Sequence, residues 1–533
     1  MLDRRRFLLQ AAAATAGVTA IGACASEQAD DGAASPVAKP SADKNVRNYG
    51  PYELRRGTAP SDSPNVVFIA LDDCNDWMGF LNNHPGTRTP NIDALAATSL
   101  SFSKAYCTVP MCIPSRTGVM WGATPARTKV YDHSDASRAA YADFTKVTPS
   151  LVDDFWAAGY DTIGAGKVFN EAQKAKWTNY RNTVYYSEGV FRKKPDTKPE
   201  TFDESWLSPY DGKPIGKGER FTQAMIDFGP SGRTTDDPDT AAATWVIDQL
   251  NADHPRPFFL GWGLLATHVP WRLPQKYLDL HPLEGIVLPE LRPDDLNDVP
   301  AYARDKIVDQ YGMFELLQQS GLWENAVQAY MAAITYMDDQ VGRVLQALAE
   351  SPHADNTIVV LWSDHGYHLG EKLHMMKFTL WERSTRVPFL VHAPGRFTNR
   401  QTFDEPVSLL DMGPTLGELT GVTINASHEG RSLLPVVASP ELAAKRPPIT
   451  TWLAGNYAVR SGPWRYIRYN TGDAELYDHR TDAEEYTNVA DVAAMAPIRS
   501  ELDAFLPPAD PAVADQPSAG PDAAVSGADG SAG

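Results

Sequence analysis

The stretch CTVPMCIPSRTG, residues 107–118, sets two cysteines five positions apart, the second followed by Ile, Pro, Ser and Arg. Pro114 suits the first turn of a helix running through PSRTGVMWG. Cys112 then falls at the amino end of that helix, where free N–H groups and the macrodipole favour an anion. Arg116 lies one turn further in, able to hold a group at residue 112 or an anionic substrate. Cys112 could be a core thiol, a disulfide partner, a metal ligand or a nucleophile. As a plain thiolate nucleophile it lacks a neighbouring Cys-His-Asn signature, and the absence of any CxxC pair argues against a thiolate zinc site.

A second source of chemistry is acidic. NVVFIALDD (65–73) is an apolar, β-branched run ending in Asp72 and Asp73, and NTIVVLWSDHG (356–366) repeats the plan with Asp364 and His365. Asp72, Asp73 and Asp364 together would form a hard oxygen site for Ca²⁺ or Mg²⁺. The alternative is that Asp72 and Asp73 cap a following helix.

Both runs predict buried parallel strands whose polar residues lie just past the carboxyl end. Further strands are expected at 257–266 and 387–394, and helices at 89–102, 148–160, 240–252 and 329–350. Such alternation predicts an α/β sandwich around a large, mostly parallel central sheet. Ligands in such sheets bind beyond the strand carboxyl ends, which puts both acidic pairs on one rim. After about residue 440 the pattern changes: ITTWLAGNYAVRSGPWRYIRYNTGDAELYD (449–478) predicts a small antiparallel C-terminal subdomain (441–506) following a catalytic domain at 63–440. Residues 25–62 and the tail 507–533 have the composition of a flexible linker and a disordered end. Residues 175–240 resemble a long loop insertion able to line the site, with Arg192, Lys193, Lys194 and Arg220 as candidates for deciding the substrate.

With 533 residues, 43% of them hydrophobic, the chain can bury a large core. Its net charge of -19 argues against nucleic acid as a partner, and an anionic substrate needs a local basic pocket. The opening, MLDRRRFLLQAAAATAGVTAIGACAS, resembles a twin-arginine export signal, with IGAC resembling a lipobox in which Cys24 carries the lipid. Residues 1–24 are therefore expected to be an address, and the protein to be exported to the periplasm or cell surface and anchored in the membrane only through that lipid. Cys74, Cys107 and Cys112 remain, an odd number, so at least one is unpaired or altered; a Cys74–Cys107 disulfide is one possibility.

CIPSR resembles the C-x-P-S-R sequence of type I sulfatases, in which the cysteine is oxidised to formylglycine. ALDDCNDW is similar to the family's first metal motif, TPNIDALA to the helix after it, and SDHGYHLGEKLHMMKFTLWERSTRVPF to the second metal motif with its lysine. VGRVL and ELYDHRTDAEEYTNVA also fit the family's order, and GKVFN (166–170) resembles the iduronate-2-sulfatase branch and its bacterial relatives. The resemblance implies an alkaline-phosphatase-like fold and a sulfuric ester hydrolase acting on a sulfated carbohydrate. It also implies Ca²⁺, with Mg²⁺ as the other candidate, bound by Asp72, Asp73, Asp364, His365 and residue 112, and a formylglycine-generating maturation enzyme acting on the unfolded chain. His365 could instead contact the sulfate, since a hard cation prefers oxygen. Arg116, Lys167, His268 and Lys377 correspond to the groups that orient residue 112 and neutralise the sulfate.

Two positions depart from the pattern. Asn170 stands where the branch has a histidine; it can bond substrate or the formylglycine hydrate but takes no proton, and His133 in VYDHSD is a substitute by residue type. The signature continues as MWG (120–122), with Trp121 where the family has a smaller residue. Two other readings stay open: a phosphodiesterase or phosphonate monoester hydrolase of the same superfamily, and a non-catalytic glycan-binding lipoprotein.

Overall fold

The computed structural model describes residues 44–49, 52–170, 176–181, 228–230, 238–309, 312–397 and 399–508. The export signal with Cys24, most of the linker, the insertion's Arg192, Lys193, Lys194 and Arg220, and the tail beyond residue 508 lie outside them. No described helix is long and apolar enough to cross a membrane.

An eight-stranded sheet forms the centre, in the order Gln401–Phe403, Leu100–Phe102, Phe389–His392, Thr357–Ser363, Asn65–Leu71, Phe258–Gly263, Asp161–Gly166, Asn179–Arg181. The last five run parallel to one another, and only Phe389–His392 opposes its neighbours. Asn65–Leu71 is buried along its whole length. Val67, Ile69 and Leu71 enter one core and Val66, Phe68 and Ala70 the other, the two-sided burial that a continuous apolar run encodes. One face is covered by the helices Trp323–Glu350 and Pro238–Leu250, the other by Cys112–Trp121, Leu151–Ala157 and Met412–Thr420. This is the α/β sandwich that the alternation predicts, with the layers expected of the alkaline-phosphatase-like fold that the resemblance implies.

The C-terminal sheet joins Ile449–Thr451, Tyr457–Ser461, Trp464–Arg468 and Ala474–Asp478 as consecutive antiparallel neighbours. Its Val459, Tyr466 and Leu476 pack with Leu502 from the helix Ala496–Asp503, while Ala458, Ile467 and Tyr477 extend the main core.

Two expectations change. The helix expected over 89–102 stops at Ala96, because the Thr98 and Ser99 hydroxyls both donate to Leu95 O and divert the backbone, freeing Leu100–Phe102 to join the sheet. Residues 44–62 are not tether throughout: Val46–Tyr49 and Tyr52–Arg55 form a hairpin. Arg47 Nη1 and Tyr49 OH donate to buried Asp153 Oδ1 at 2.7 and 2.6 Å, and Lys176 Nζ to its Oδ2 at 2.7 Å. Composition reads this segment as solvated because its partners lie about a hundred residues away.

Candidate active site

Leu71 and Ser363 are register partners on adjacent parallel strands, so Asp72 and Asp364 leave the sheet side by side. Asp73 N donates to Asp364 Oδ1 at 3.1 Å, and Asp364 N to Leu71 O at 3.3 Å. No helix begins after Asp73, which takes a left-handed φ of 55°; the next helical turn, Gly79–Leu81, starts from Met78, so the capping alternative falls. The acidic pairs form a fully buried rim.

Cys112 opens the helix Cys112–Trp121 over that rim and is 1% exposed. Its Sγ lies 3.6 Å from Asp73 Oδ1, 3.3 Å from His365 Nε2 and 3.3 Å from Lys377 Nζ. Lys377 Nζ also reaches Asp73 Oδ1 and Oδ2 at 2.6 and 2.8 Å, and Lys167 Nζ reaches Asp72 Oδ1 and Oδ2 at 2.8 and 2.7 Å. His268 Nε2 stands 3.9 Å from Asp73 Oδ2 and is 19% exposed, the open side of the cluster. Asn170 is half-buried just beyond Phe169, which packs against Trp121.

The electrostatics follow from this crowding. Burial alone would raise Asp73, but His268, Lys377 and His365 bring it down to about 2. Asp72 is likewise held well below the usual range against burial, by Lys167 and Arg116. Burial wins at Asp364, raised to about 6. Burial opposes a charged Cys112, yet Lys167 and Lys377 hold the thiol well below its ordinary value.

The donor atoms of Asp73, Cys112, Asp364 and His365 all lie within 4.8 Å of one another, and Asp72, Asp73 and His268 form a second such group. His365 Nδ1 donates to Gly366 O at 3.0 Å, which leaves Nε2 as the coordinating nitrogen, the usual arrangement of a metal-binding histidine. Three carboxylates suit a hard cation; the sulfur of Cys112 does not.

A family model described as Sulfatase matches residues 64–422, and one described as N-sulphoglucosamine sulphohydrolase, C-terminal, matches 370–508. The chain belongs to the sulfatase family. It is 37% identical over 461 residues to a Sulfatase of Formosa agariphila, covering 84% of this chain and 87% of that one. It is 28% identical to the Iduronate 2-sulfatase of Homo sapiens, covering 69% and 71%. A solved 2-O GAG sulfatase superposes with a TM-score of 0.59 at 20% identity, covering 86% of this chain and 97% of that one. The protein is thus a sulfuric ester hydrolase.

In this sulfatase Arg116 lies at the rim, between Asp72 and Asp364. All five of its N–H groups are used: Nε on Asp364 Oδ2, Nη1 on the carbonyls of Lys167 and Val168, and Nη2 on Leu71 O and Asp72 Oδ1. Arg116 thereby clamps the helix that opens at Cys112 to the strand ends. The three described cysteines are free, so Cys74 and Cys107 do not pair; burial pushes both thiols up.

Several supporting groups escaped the sequence reading. Ser115 Oγ and Thr267 Oγ1 donate to the carbonyls of Asp364 and Asp72, both at 2.5 Å. Tyr330 OH donates to Asp73 O at 2.9 Å, and Asp239 accepts from Leu265 N and Ala266 N, holding the loop that carries His268. Ser115 was visible inside CIPSR; Tyr330, on a long amphipathic helix, carries no local signal.

Lys377 is presented by a constrained loop with left-handed Lys372, Leu373, Met376 and Phe378. His374 Nδ1 accepts from Asp309 N at 2.8 Å, so its Nε2 donates to Lys377 O at 2.7 Å.

Proposed function

We propose that this sulfatase hydrolyses sulfate esters of a carbohydrate, with Cys112 matured to formylglycine and Ca²⁺, or alternatively Mg²⁺, held by Asp72, Asp73, Asp364 and His365. The carrying observation is the convergence of Cys112, those carboxylates and Lys377 at the buried carboxyl ends of two adjacent strands. Sulfur is the misfit in that donor set, and conversion of Cys112 to a hydrated aldehyde replaces it with hard oxygen. The hydrate would supply one hydroxyl to attack sulfur and another through which sulfate is released, and a cation held by these residues would lower the first hydroxyl's pKa. Lys377 bridges residue 112 and Asp73, placed to draw charge from the sulfate oxygens, and Lys167 does the same from Asp72. His268, on the open side, protonates the leaving sugar oxygen. Three carboxylates already face Arg116, Lys167 and Lys377, so a divalent cation makes the rim net positive in a chain of charge -19.

The names of the iduronate 2-sulfatase and 2-O GAG sulfatase relatives support a sulfated sugar as substrate. Burial of Cys112 is consistent with a maturation enzyme acting before folding, and so with conversion in the cytoplasm ahead of twin-arginine export and lipid attachment at Cys24. The test is turnover of paired sulfate, phosphate and phosphonate esters of one alcohol by protein whose residue 112 is an aldehyde. We expect the sulfate ester to be preferred. A preference for the phosphonate or phosphate diester would support the phosphohydrolase reading, and no turnover of any ester the glycan-binding one.

A further inference from the structure

Lys377 sits between two left-handed residues, Met376 with a φ of 92° and Phe378 with a φ of 80°. Residues with side chains keep such a backbone only where the surroundings over-determine it. One of the groups that does so is the imidazole of His374, whose Nε2 donates to Lys377 O at 2.7 Å while its Nδ1 accepts from Asp309 N at 2.8 Å. The ring is almost fully buried, and burial pushes its pKa down to about 4. At neutral pH it therefore carries one proton, and the bond from Asp309 N places that proton on Nε2. Both sides of this bridge are anchored. His374 N donates to Glu371 O at 3.2 Å and His374 O accepts from Gly370 N at 3.0 Å, inside the hairpin that pairs His368–Leu369 with Met375–Met376. The Asp309 carboxylate accepts from Phe314 N at 2.9 Å and Glu315 N at 3.1 Å, at the start of the helix Met313–Ser320. At the far end of the lysine, Nζ lies 3.3 Å from Cys112 Sγ and 2.6 and 2.8 Å from the Asp73 oxygens.

We propose that His374 is a positioning residue for the reaction, fixing through its Nε2–H bond the backbone from which Lys377 reaches residue 112. This rests on the role given to Lys377 in the proposed function. His374 acts through that lysine and not on the ester. With the bond in place the long side chain starts from a fixed point. Without it the left-handed turn relaxes, and Nζ loses its place between Asp73 and residue 112. A misplaced charge-stabilising group lowers kcat and kcat/KM together.

The two bonds separate by substitution, because the amide of Asn reaches the place of Nδ1 and that of Gln the place of Nε2. Rates on a sulfate ester that the wild type turns over, and melting temperatures, are measured for His374→Asn, His374→Gln, Lys377→Met and the His374→Asn/Lys377→Met double variant, each with the residue-112 aldehyde verified. His374→Asn keeps an acceptor for Asp309 N but loses the donor to Lys377 O, and should lower kcat by about 10²-fold with KM little changed. His374→Gln keeps that donor and should retain most of the wild-type kcat. On the Lys377→Met background, His374→Asn should bring no further loss, as expected of a residue that acts only through the lysine. Should the Asn variant fail to fold, His374→Met, which removes both bonds, is put through the same cycle. Asn as active as Gln, or a full further loss in the double variant, overturns the role of His374. Wild-type kcat in Lys377→Met, or failure of aldehyde-bearing wild-type protein on every sulfate ester, overturns the proposed function itself and this inference with it.

Discussion

At the scale of single residues, the site depends on charges that cannot be dismissed by protonation. Burial would lower Lys377, but Asp73 and Cys112 more than compensate and hold it charged. Lys377→Met should therefore lower kcat on a sulfate ester by about 10²–10³-fold, with little change in folding read by circular dichroism. An unchanged kcat would remove Lys377 from the chemistry. Much of this was legible, because Cys112, Asp72, Asp73 and Asp364 announce themselves by type at strand and helix ends. Lys167, His268 and Lys377 did not, since a lone lysine or histidine carries no spacing signal and entered through family resemblance. Tyr330 and Thr267 were illegible because their role is to hold a carbonyl of a residue far away in sequence.

At the scale of elements, close approach of backbones sets where the lysines start. Gly263 faces Lys167 so tightly that a Cβ there would lie 2.0 Å from the Lys167 carbonyl carbon, and Gly166 turns the chain with a φ of 66°. Gly263→Ala should displace Lys167, cutting kcat on sulfate esters by about 10²-fold or more, as expected for loss of one charge-stabilising donor. Normal kinetics with the alanine would contradict that geometry. The N-terminal hairpin makes a separate prediction through Asp153. Burial would raise this carboxyl, but Lys176 and Arg47 pull it well below the usual range. Its stabilisation is thus complete above the unfolded carboxylate pKa of about 3.9 and is lost as pH falls toward the folded value. Asp153→Asn strands the buried Lys176 charge and should cost about 3–5 kcal/mol in urea unfolding at neutral pH, with the deficit shrinking in acid. The strands were legible because burial on both faces leaves a continuous apolar run. The hairpin was not, because its few polar anchors are indistinguishable in composition from a tether.

At the scale of the whole molecule, a strongly acidic chain concentrates Arg116, Lys167 and Lys377 at one rim, where they balance Asp72, Asp73 and Asp364. The divalent cation proposed for that rim would bind only the folded state. Calcium at a hundred times its dissociation constant should raise stability by about 2.7 kcal/mol, seen as a higher melting temperature, and chelation should lower both that temperature and the sulfatase rate. A melting temperature indifferent to chelator and calcium would contradict the cation site. A mostly parallel central sheet and a small antiparallel C-terminal sheet were foreseeable from patterning, whereas the order of strands and the reversed direction of Phe389–His392 were not, because register between distant segments has no local code. The central claim concerns residue 112, and the most direct measurement is the mass of the peptide spanning it, from protein made with a maturation enzyme. The account predicts the aldehyde or its hydrate in place of the thiol; an unmodified Cys112 in folded protein that still turns over sulfate esters would contradict it.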